Sequence, residues 1–180
     1  MSPDADLRTS PAPDQGQVTP ALGRTAYRTR VLDGLGLVAR LVLGGVLIAA
    51  GIPKILDVTG SIQNVLAYEL FDYEVARLIG TLLPVVEIAL GVLLVLGLLT
   101  RAAGAAGGLL MIVFIVGIIS AWSRGLAIDC GCFGTGGPVD AGETTYLLDI
   151  VRDLAFLALA AWLVVRPRTP FALDNLMKGR

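Results

Sequence analysis

Four apolar runs, at roughly residues 36–56, 77–99, 102–121 and 145–165, dominate this chain of 180 residues. Each approaches the roughly 20 apolar residues that an α-helix needs to cross a hydrocarbon core about 30 Å thick. Inside lipid no water satisfies open backbone groups, so a segment of this kind closes its hydrogen bonds on itself as a helix. Composition agrees, with 55% of residues hydrophobic and 16% charged, more apolar material than a soluble domain of this size hides in its own core. The expected fold is all-α: an integral membrane four-helix bundle surrounded by the lipid bilayer.

Little chain remains outside those runs. The first 30 residues include Ser10-Pro11-Ala12-Pro13-Asp14, and such a polar, proline-rich stretch cannot bury enough apolar surface to offset the entropy of ordering it. The organisation read from the sequence is a disordered cytoplasmic tail at 1–30, a membrane domain at 31–166 and a second cytoplasmic tail at 167–180. No apolar core with a small-residue cleavage site precedes the first run, so that run is expected to be an uncleaved anchor. Only Thr100-Arg101 separates the second run from the third, which makes them an antiparallel hairpin. Between the first and second runs, Ile62, Val65, Leu66, Leu70 and Phe71 follow a pattern compatible with a short amphipathic helix at the interface.

Basic residues set the orientation. Arg24, Arg28, Arg30, Arg101, Arg166, Arg168, Lys178 and Arg180 fall on one side of four alternating helices, and only Lys54, Arg77 and Arg124 on the other. The positive-inside rule then puts both termini in the cytoplasm, with the chain in the plasma membrane and the loop 122–144 facing outward. A net charge of −1 gives no electrostatic footprint for nucleic acid.

The outward loop carries both cysteines of the chain, Cys130 and Cys132, within Asp129-Cys130-Gly131-Cys132-Phe133-Gly134. The absence of histidine removes the usual general base, the usual haem ligand and half of most zinc sites. A structural staple would close so short a loop that it constrains the unfolded chain little. Copper(I) suits two soft thiolates, yet no nearby Met or His completes a site, and zinc usually takes four ligands, so no metal is expected. A redox-active pair fits better: an outward disulfide persists, and a strained, exposed one is readily reduced. Gly131 supplies the backbone freedom that so tight a ring needs. Cys130 and Cys132 are therefore the candidate catalytic pair. Asp129 disfavours a thiolate there, and Arg124, if it folds back, favours one.

A second constellation lies within the apolar runs. Asp149, Arg152 and Asp153, spaced i, i+3 and i+4, share one face of the last run. Glu87 lies near the middle of the second run and Arg40 toward the inner end of the first. Ionisable groups at such depth are paired or functional. Mutual pairing that fixes helix register is one reading of Arg40, Glu87, Arg152 and Asp153, and a functional role is the other; the two are not exclusive. Gly104-x-x-x-Gly108 and Gly45-x-x-x-Ala49 read as close helix contacts. Trp122 and Tyr146 read as interfacial anchors.

Together, Arg40-Leu41-Val42-Leu43-Gly44, Ala50-Gly51-Ile52-Pro53-Lys54, Leu83-Pro84-Val85-Val86-Glu87 with Gly91, the stretch from Arg124-Gly125 to Asp129-Cys130-Gly131-Cys132-Phe133-Gly134, and Arg152-Asp153 resemble the MauE family within the DoxX-like membrane proteins. The resemblance covers about residues 39–165, and its specific part runs from Arg124 to Gly134. It implies a DoxX-like four-helix membrane protein of methylamine utilisation that helps mature a disulfide-rich dehydrogenase subunit beside a thioredoxin-like or DsbA-like extracytoplasmic partner. DoxX-like relatives further imply quinone-linked thiol chemistry, in which Arg40, Glu87, Arg152 and Asp153 are the residues that would hold the quinone. One thiol pair on one side of the membrane cannot relay electrons across it through dithiols alone. Two functions remain: a thiol-disulfide oxidoreductase coupled to a quinone or to its partner alone, and, alternatively, a non-enzymatic assembly factor or docking platform for that partner.

Overall fold

The computed structural model describes residues 20–131, 136–140, 144–167 and 172–174. Cys132 and the residues 1–19 of the expected tail lie outside them. Two compact units divide the chain, Met1–Leu32 and Asp33–Arg180. Within the first, the described part is helical from Pro20, so residues 20–30 of the stretch expected to be disordered are helix; proline suits a first helical position because its missing N–H has no intrahelical partner there. All packing described below belongs to the second unit.

Five helices and one small ribbon make up the described residues: α1 (Pro20–Leu56), α2 (Val58–Ala67), α3 (Tyr73–Leu96), α4 (Thr100–Ser123), β1 (Ile128–Asp129), β2 (Gly137–Pro138) and α5 (Tyr146–Val165). Three stretches are long and apolar enough to cross a membrane, Arg30–Leu56, Tyr73–Leu96 and Thr100–Ser123. The fourth run of the sequence forms α5, 20 residues long; its length suffices, but Asp149, Arg152 and Asp153 make it less apolar than the other three.

Local chemistry explains the boundaries. Asp57 accepts the Gly60 N–H at 2.9 Å and Asp72 the Val75 N–H at 2.9 Å, each capping the start of a helix. At the end of α3, Gly97 adopts φ +70° and the Leu98 N–H reaches the Leu93 carbonyl at 2.9 Å, a glycine stop that closes the last carbonyls. The start of α4 is capped from far along the chain, because the Asp174 carboxylate accepts the N–H groups of Leu99 and Thr100 at 2.8 and 2.9 Å. The amphipathic segment expected between the first two runs is α2, held on α3 by the Ser61 hydroxyl donating to the Gly80 carbonyl at 2.8 Å.

Small residues set the helix spacing. A Cβ at Gly91 would lie 2.6 Å from Ile48 Cγ1 and 2.7 Å from the Gly44 carbonyl oxygen, so α1 and α3 approach backbone to backbone. Gly104 and Gly108 face Leu163 and Ala160 of α5, as their spacing suggested. Gly45 and Ala49 do not behave that way: both are exposed, and nothing stands within 4 Å of a Cβ at Gly45. The glycine of α1 that meets another helix is its neighbour, Gly44. The shared core holds Leu43, Leu47, Leu94, Met111, Ala160 and Leu163. Leu82, Val85, Val113, Val116 and Leu154 are exposed, as side chains on a lipid-facing surface are.

Candidate functional site

The loop that carries Cys130 is tied down from two helices, α5 and α2. Tyr146, at the start of α5, is buried; its hydroxyl donates to the Leu126 carbonyl at 2.5 Å and accepts the Ile128 N–H at 2.9 Å. Tyr146 therefore anchors the loop rather than the lipid interface. Its ring lies 6.1 Å from that of Trp122, which is 53% exposed. From the end of α2, the Tyr68 hydroxyl donates to the Cys130 carbonyl at 3.1 Å. Gly131 adopts φ +64°, and a Cβ there would lie 2.7 Å from Asn64 Nδ2. Glycine is thus required twice over, by conformation and by space.

The basic residue beside the sulfur is not Arg124. Its guanidinium caps the end of α2, reaching the Tyr68 and Glu69 carbonyls, and its Nε donates to the Ser120 carbonyl at 3.1 Å. Arg152 occupies the expected position instead. Its Nη2 donates to Cys130 Sγ at 3.7 Å, while Nη1 donates to Asp149 Oδ1 at 2.8 Å and Nε to Asp153 Oδ1 at 3.1 Å. Asp149 also accepts from the Thr145 hydroxyl at 3.0 Å. The i, i+3, i+4 spacing therefore converges, as read from the sequence, on one guanidinium, and that guanidinium reaches the thiol loop.

Deeper in the bundle, Glu87 pairs with Lys54 at 2.7 Å, and the two side chains are 0% and 5% exposed. The Lys54 ammonium also lies 5.5 Å from the Phe114 ring centroid, within cation–π range. In the sequence Lys54 counts only among the outer-side charges, at the end of the first run, and is not marked as a buried partner of Glu87. Its signal was periodicity: Leu43, Leu47, Ala50 and Lys54 step by four, three and four residues along α1, and all four are buried.

Asp153 and Glu87 meet around a void of about 20 Å³, otherwise lined by Leu47, Ala50, Met111 and Phe114 among others. Arg40 is elsewhere. It packs against Gly97 and faces the charge of Asp174, ten helical residues or about 15 Å along α3 from Glu87. Of the four residues read as a quinone site, Glu87 and Asp153 line one void, Arg152 bonds Asp153 and Arg40 lies apart. Ligand pockets usually run to about 300 Å³ or more, so a quinone headgroup does not fit between Glu87 and Asp153. A larger groove of about 480 Å³ opens beside the thiol loop, lined by Gln63, Leu66, Glu69, Leu126 and Ile128 with two alanines.

Comparison with curated proteins and with solved structures returned no match. The family model described as methylamine utilisation protein MauE matches residues 32–166. That span contains the apolar helices, the Cys130 loop and the charged face of α5. The chain is thus a membrane protein of the MauE family, implicated in methylamine utilisation.

Proposed function

We propose that this protein is a membrane thiol-disulfide exchange protein, with Cys130 and Cys132 as the reactive pair and a thioredoxin-like extracytoplasmic protein as its partner. The observation that carries the reading is Arg152 Nη2 at 3.7 Å from Cys130 Sγ, because a fixed positive charge beside a sulfur stabilises negative charge on it. The thiolate is the nucleophile in such chemistry. In the exchange, the Cys130 thiolate attacks one sulfur of the partner's disulfide; a mixed S–S bond forms, the partner's S–S bond breaks and the partner's other sulfur leaves as a thiolate that takes up a proton. Attack by Cys132, after losing its proton, on Cys130 then closes the pair and releases the partner as a dithiol. Two electrons and two protons pass to the partner, and the reverse sequence oxidises it. The reaction is complete between two dithiol-disulfide couples, and no step is routed through a quinone.

In this reading α5 is the fourth span of a DoxX-like bundle, since 20 residues extend about 30 Å and its charges are joined within the protein. The loop faces outward, both termini are cytoplasmic and the membrane is the plasma membrane. The groove beside Ile128 supports approach of a partner segment to Cys130. Maturation of an extracytoplasmic, methylamine-dehydrogenase-type protein is the role the family's description favours.

Trapping tests the function. In cells, Cys132→Ser should accumulate a reductant-sensitive mixed disulfide through Cys130, and adding Arg152→Gln should slow alkylation of Cys130 at neutral pH in the purified protein. If no mixed disulfide forms and Arg152→Gln leaves the alkylation rate unchanged, exchange is refuted and a docking platform is the better account.

A further inference from the structure

Glu87 and Asp153 each use one carboxylate oxygen and leave the other bare. Glu87 Oε1 meets Lys54 and Asp153 Oδ1 meets Arg152, whereas Glu87 Oε2 and Asp153 Oδ2 are buried without a hydrogen-bond partner among the described residues. The two residues are 0% and 2% exposed. Unsatisfied buried acceptors are costly. Both residues line the same void of about 20 Å³, enough for one water molecule.

Charge points the same way. Three carboxylates, Glu87 from α3 and Asp149 and Asp153 from α5, share two cations, Lys54 from α1 and Arg152 from α5. α4 faces the void with Met111 and Phe114 and adds no charge. Arg40 and Asp174 lie at the far end of the bundle, by Gly97. Among the described residues one negative charge is left over in this cluster, whose inner members Glu87 and Asp153 are buried, and uncompensated charge inside a membrane protein is rarely tolerated. A hard cation such as calcium takes six or more oxygens, and this lining is mostly apolar.

We propose that the void between Glu87 and Asp153 is a proton-binding site holding one water and one proton. One carboxyl, protonated, donates to the water oxygen; the water donates to the other carboxylate; the mirror arrangement puts the proton on the opposite side. The two bare oxygens are thereby satisfied and the surplus charge is cancelled. Arg152, which contacts both Asp153 and Cys130, places this proton one side chain from the sulfur. The site stands on its own, whether or not the thiols exchange.

Infrared spectroscopy of the full chain in lipid bilayers at neutral pH tests it. The wild type should show a carboxylic-acid C=O band that shifts in D2O. Carboxyl-13C aspartate and carboxyl-13C glutamate, incorporated separately, should each move part of that band, and these samples need no variant to fold. Glu87→Gln and Asp153→Asn each remove the surplus charge and should each abolish the band. Absence of the band from the wild type, a shift with only one of the two labels, or persistence of the band in either variant overturns the proposal.

Discussion

Lys54→Met is the sharpest test of how this membrane domain is held together. Methionine keeps an unbranched stem of similar reach, but Glu87, 0% exposed, loses the ammonium 2.7 Å away. Breaking a buried ion pair from one side costs about 3–5 kcal/mol, because the remaining charge is buried without compensation. Loss of the contact with Phe114 at 5.5 Å adds about 0.5–2 kcal/mol. The double variant Lys54→Met/Glu87→Leu removes both charges, and exchanges of that kind are often neutral or stabilising by about 1–4 kcal/mol. It should therefore be more stable than Lys54→Met alone. Reversible unfolding in mixed micelles, followed by far-ultraviolet circular dichroism, gives all corners of the double-mutant cycle. A Lys54→Met cost under about 1 kcal/mol, the range of an exposed pair, or costs of the two single changes that simply add, would refute the reasoning.

Other consequences are as direct. Gly91→Ala should cost about 1–3 kcal/mol through overpacking, since its Cβ would lie 2.6 Å from Ile48 Cγ1, while Gly45→Ala, with nothing within 4 Å, should be nearly neutral in the same unfolding assay. Tyr146→Phe removes the hydroxyl shared by Leu126 and Ile128, a loss of about 1–3 kcal/mol that should appear as faster hydrogen exchange at the Ile128 amide. Asp174→Ala uncaps α4, at about 0.5–2 kcal/mol, and should accelerate exchange at the Leu99 and Thr100 amides. An impermeant maleimide added to intact, mildly reduced cells should label Cys130; labelling only after lysis would reverse the proposed orientation.

The elements were legible where periodicity was strong, and the partnerships were not. Length and hydropathy located α3 and α4 to within a few residues, because an unbroken apolar run has one solution in lipid. The grouping of Asp149, Arg152 and Asp153 was equally plain, as it needs only the helical repeat. Which arginine reaches Cys130 was not, because Arg124 is close in sequence but spends its donors on the carbonyls that end α2, whereas Arg152 arrives from another helix. Gly45 and Gly44 show the same limit. A small-xxx-small spacing fits either face of a helix, and only the rotation of α1 decides that Gly44 meets Gly91. Lys54 was concealed by its position at the end of an apolar run, where a charged residue ordinarily marks the membrane surface.

Those partnerships have a common physical origin. In lipid the helices gain little from hiding apolar side chains, since the solvent is itself apolar, so packing and polar contacts select their arrangement. Glycine contacts at Gly44, Gly91, Gly104 and Gly108 allow the backbones to approach but leave sliding along the axis weakly opposed. The charged pairs oppose it strongly. Lys54 can meet Glu87, and Arg152 can meet Cys130, in one register of α1 on α3 and of α5 on the loop. A slip of one turn, about 5.4 Å, would break each contact and, between α1 and α3, strand the charges of Lys54 and Glu87. The buried ions thus give the bundle a specificity that its apolar surface cannot, and the same side chains that fix the register bring a guanidinium to the sulfur.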